Sequence, residues 1–143
     1  MGLKINTIIT LANNEKYVLL NPLTDEREIF RTHIAYSLLE SASYNVAHQN
    51  KDLGLFETSN VMSKASRSEH LSIVLVGNRS LCGIMESYPY SFYDLKGLVE
   101  GIFTLFGIES SRYRFERFNS EKEELHPGKS AKIIFQNNCI GAL

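Results

Sequence analysis

Apolar residues return along this chain at two different spacings, and the change of spacing predicts where helix gives way to strand. Ile34, Leu38, Ala42 and Val46 recur every fourth position with Leu39 beside them, the stripe of an amphipathic helix of about fourteen residues following Thr32. Glu40 and Ser43 lie on its other face. The segment SFYDLKGLVEGIFTLFG repeats the pattern more strongly, with Phe92, Leu95, Val99, Ile102, Phe103 and Phe106 on one side. Its ends are marked as well: Ser91 and Asp94 stand in the capping-box relation, and Gly107 can close the helix in a left-handed cap.

Alternating and β-branched runs predict the strands. INTIITLANNEKYVLLNP places strands near 5–12 and 16–20 around an Asn13-Asn14 turn, and Pro22 closes the second. Thr24-Asp25-Glu26 offers the chemistry of a short helical turn. LGLFETSNVM is a strand, Ser63 to Glu69 a polar loop, and LSIVLVGN an apolar run continuous enough for a central strand. Asn78 and Gly83 bracket an irregular connection ending at Pro89. RYRFERF alternates as a strand, HPGKS turns, and AKIIFQNNCIGAL forms a hairpin over Asn137-Asn138. The chain therefore mixes helix and sheet, and its 143 residues suit a single domain over 1–143 that buries a core without disulfides or metal.

Composition narrows the function classes. Lys and Arg number 15 against 16 for Asp and Glu, so no global positive field draws in a polyanion, and neither DNA nor autonomous RNA binding is favoured. Cys82 and Cys139 lie far apart without a Cys-x-x-Cys spacing or a secretory signal, which reads as two free thiols in a cytoplasmic protein. The longest apolar runs fall short of the roughly 20 residues of a membrane span.

Candidate chemistry is sparse. His33, His48, His70 and His126 have no metal-ligand rhythm, and no nucleophile elbow, dinucleotide fingerprint or Walker loop is present. Gly97 and Gly101 lie inside a helix at a cost of roughly 1 kcal/mol each, which close approach of another backbone would justify. Arg31 could grip a phosphate or carboxylate, but the structural reading pairs it with Asp25 or Glu28. Glu57 reads as solvent-facing or paired. In HPGKSAKI, His126 and Lys129 flank Pro127-Gly128, and without converging donors the motif is a turn rather than an anion site.

Taken in order, NPLTDEREIFRT, NKDLGLFE, LSIVLVG, SFYDLKGLVEGIFTLFGI, HPGKSAKI and NNCIGAL form a series of landmarks from about Ile5 to Leu143. The series resembles the β subunits of bacterial phenylalanine–tRNA ligases, in the core module that imitates a class II synthetase domain. YDLKG followed downstream by HPGKSA is its most specific part. Where family members carry a leucine-rich stretch with proline, this chain has HIAYSLLE, and Thr58-Ser59 stands where Ile-Gly is common.

The resemblance implies an α+β fold, an antiparallel sheet flanked by helices, excised from a longer subunit. It implies a module without catalytic, cofactor or metal residues of its own, in which Arg31, Asp94, Gly97, His126, Gly128 and Lys129 serve structure or an interface. It also implies a catalytic α subunit as partner in a heterotetramer, with ATP and magnesium used by the parent complex and tRNA(Phe) bound through the whole assembly. A class II site needs an arginine on its second-motif strand and a glycine-rich strand ending in Glu-Arg. LGLFETSNVM has Glu57 but no arginine, and Glu116-Arg117 lacks the preceding glycines. The alternatives are a stand-alone synthetase-like enzyme or small-molecule-binding relative, and a small RNA-binding module.

Overall fold

The structure is a computed structural model that describes residues 18–23, 28–31, 33–62, 67–80, 87–117, 126 and 128–143. The strand expected near 5–12, the Asn13-Asn14 turn and the turn at Thr24-Asp25-Glu26 lie outside these residues. Of the strand expected over 16–20, the described part makes one antiparallel bridge, Val18 with Ile29, and Leu19 N–H donates to the Glu28 carbonyl at 2.7 Å. Among the described residues the chain divides into two compact units between Val74 and Leu75, a boundary that falls inside the strand Arg67–Val76.

In the first unit, α1 (Ala35–Ala47) packs on β1 (Leu53–Met62), which pairs with β2 (Arg67–Val76) in a two-stranded sheet. The predicted fourfold stripe is the packing face. Ile34, Leu38 and Ala42 are buried, and Val61 of β1 joins them. Each large apolar side chain removed from water in this way stabilises by roughly 1.5–3 kcal/mol. No side chain caps the start of α1; the N-cap is Ile34, and Ser37 Oγ donates back to its carbonyl at 2.9 Å.

β2 begins earlier than its apolar run. Arg67 to Leu71 are exposed yet extended, so the loop expected over Ser63 to Glu69 is shorter than its polarity suggests. A strand needs only a ladder partner for its backbone groups, and β1 supplies one. The apolar run itself, Ser72 to Val76, is half-buried along its whole length rather than fully enclosed.

The second unit opens with β3 (Asn78–Ser80) and β4 (Ser87–Pro89), an antiparallel pair where an irregular connection was expected. Pro89 sits at the end of its strand, opposite Asn78, where a missing donor costs least. Next come α2 (Phe92–Leu105), a short 3-10 turn at Ser110–Arg112, and a three-stranded antiparallel sheet in the order β5 (Tyr113–Arg117), β6 (Ala131–Phe135), β7 (Asn138–Ala142).

Leu95 and Phe103 form the buried side of α2, and the Phe103 ring lies 4.6 Å from that of Tyr113 on β5. Phe106, expected on the same side, is 78% exposed, because it stands past the last helical turn as the C-cap. Ala131, Ile133 and Ile134 make β6 the buried central strand. Its hairpin with β7 turns at Gln136-Asn137, one residue earlier than expected; φ of 48° and 67° at these two residues suits the twist of a tight antiparallel turn. Among the described residues the architecture is α+β, two helices with small sheets.

Candidate functional site

The densest polar arrangement in the first unit gathers around Arg31. Its guanidinium meets Glu57 Oε1 at 2.6 Å, donates to Ser59 Oγ at 2.7 Å and to Ser37 Oγ at 3.2 Å. Ser37 Oγ lies 3.4 Å from Glu57 Oε2. Three segments are thereby joined: the stretch before α1, the first turn of α1, and the alternate residues 57 and 59 on one face of β1. The carboxylate partner among the described residues is Glu57 rather than Glu28, and Asp25 lies outside the described residues. Met62 N–H also donates to the Arg31 carbonyl, at 3.5 Å.

Beside this cluster, His33 Nε2 is buried without a hydrogen-bond partner among the described residues, and the ring meets Tyr36 edge-on at 6.4 Å. Burial, and secondarily the charge of His70, push its pKa below the usual histidine value.

A second arrangement fixes the start of α2. Asp94 Oδ2 accepts from the Ser91 backbone N–H at 2.8 Å and from its hydroxyl at 2.6 Å, which realises the capping box predicted from sequence. Asp94 Oδ1 also meets Arg79 of β3 at 3.1 Å, and that guanidinium lies 5.9 Å from the Tyr88 ring of β4. The two hydrogen bonds from Ser91 are the main reason the Asp94 carboxyl titrates below its ordinary value, and Arg79 adds to them.

The other end of α2 closes as Gly107 predicts: with φ of 68°, its N–H reaches the Thr104 carbonyl at 3.0 Å and the Ile108 N–H reaches Phe103 at 2.8 Å. Between these ends Gly97 and Gly101 are exposed, and no described atom lies within 4 Å of where a Cβ would stand at either. The close backbone approach inferred from sequence is not formed among the described residues.

The turn of HPGKS uses its own donors. Lys129 N–H donates to the His126 carbonyl at 3.1 Å, and Gly128 N–H to His126 Nδ1 at 3.1 Å. With these two amides bonded to His126, the chain passes on to Ser130 and Ala131, which are buried. Ser130 Oγ is buried there without a partner among the described residues.

His126, Gly128 and Lys129 thus come together, whereas Arg31 lies in the other unit and Asp94 and Gly97 belong to the capped helix. Sequence reasoning missed Ser37, Ser59 and Arg79. The spacing of Glu57 and Ser59, two apart on one strand face, was the available signal for one of them. Among the described residues no group of three histidines, cysteines or acids could hold a metal, and no helix is long and apolar enough to cross a membrane. Arg31, Arg79 and Arg114 each hold a carboxylate, Arg114 that of Glu116 at 2.7 Å. Cys139 is a free, exposed thiol, and Cys82 lies outside the described residues.

Residues 6–143 match the model of the family described as phenylalanyl tRNA synthetase beta chain CLM domain. The chain belongs to this family. Among similar proteins, the phenylalanine–tRNA ligase β subunit of Listeria monocytogenes is 33% identical over 96% of the chain, and that of Carboxydothermus hydrogenoformans 33% identical over 100%. The β subunit of Syntrophotalea carbinolica is 36% identical over 90%. The chain spans only 18% of the length of the Listeria and Carboxydothermus proteins. Within the matched residues, YDLKG lies in the capped first turns of α2, and HPGKSA leads into β6.

Proposed function

We propose that residues 1–143 act as one non-catalytic module of a phenylalanine–tRNA ligase β subunit, which docks the catalytic α subunit and positions neighbouring domains for charging tRNA(Phe). The reading extends to a class II synthetase-like core and to a cytoplasmic complex in which the α subunit uses ATP and magnesium. What carries it is the family match over 6–143. The chemistry of the residues supports the non-catalytic part. Adenylate formation needs cationic groups aimed at the developing charge on phosphorus, and such groups act only when they are not already neutralised. Glu57 on β1 is held by Arg31, and Glu116 on β5 is held by Arg114 and stands opposite Lys132.

The test is light scattering during size-exclusion chromatography of this chain mixed with a cognate α subunit. Co-elution at a fixed stoichiometry is the expected result. Separate elution at concentrations well above those of a stable complex overturns the docking role.

A further inference from the structure

We draw no further inference here: the strongest candidate, the exposed face of α2 formed by Tyr93, Gly97, Leu98, Gly101, Leu105 and Phe106, is an unpartnered apolar helix face, and nothing in the structure shows what covers it.

Discussion

Arg31 and Glu57 stand 2.6 Å apart with side chains that keep 43% and 29% of their surface exposed. An isolated ion pair at that exposure contributes about 0–1 kcal/mol. Here the guanidinium also serves Ser37 and Ser59, and removing it takes the charged donor from two hydroxyls and from a half-buried carboxylate, which is left the 3.4 Å contact of Ser37 Oγ. Arg31→Ala is therefore expected to lower stability by about 1–2 kcal/mol in urea unfolding. Glu57→Gln should cost a comparable amount, and the double variant less than the two together. Strict additivity would show that the cluster is a surface coincidence rather than a tie between β1 and α1.

His33 makes the neighbouring prediction in pH. Its folded pKa lies below 6.5, so folded and unfolded chains bind protons alike at high pH, while below about 6.5 the unfolded chain takes up a proton that the half-buried ring binds less readily. Stability contributed at neutral pH is then lost as pH falls from about 6.5 through the lowered folded value, and levels off beneath it. His33→Gln should flatten that part of the profile. If the urea midpoints of the parent chain and the variant fall in parallel between pH 7.5 and 5, burial of His33 has no such consequence.

At the scale of elements, α2 tests what its glycines are for. Gly97 is in the interior of a helix, exposed, with no described atom near its would-be Cβ. Gly97→Ala in the isolated chain should then raise stability by about 0.5–1 kcal/mol, through helix propensity and a less free unfolded chain. Gly97→Leu should also be tolerated; a loss of about 1–3 kcal/mol in thermal melting would reveal overpacking against an element close to this face.

The same helix shows what sequence makes legible. Ser91, Asp94 and Gly107 announce α2 because caps are local: each acts on backbone groups within a turn of itself. The stripe of Ile34, Leu38 and Ala42 is legible for the same reason. The β3–β4 pairing, the early start of β2 and the one-residue shift of the Gln136-Asn137 turn depend on a partner strand, and a single segment does not encode its partner. The Arg31 cluster was invisible for that reason too, since its members come from three segments brought together only by packing.

For the whole molecule, the decisive property is what its charges are free to do. Three of its arginines, Arg31, Arg79 and Arg114, are paired with carboxylates within the fold. A catalyst must stabilise charge that appears only in the transition state, and a guanidinium already neutralised by glutamate or aspartate offers little of that. The isolated chain is therefore expected to give phenylalanine-dependent exchange of pyrophosphate into ATP no faster than buffer. Exchange above that background by the chain alone, abolished by Arg31→Ala or Arg114→Ala, would make it an enzyme in its own right. If exchange appears only when a cognate α subunit is added, and those two variants leave it unchanged, the chemistry resides in the added subunit and not in this chain.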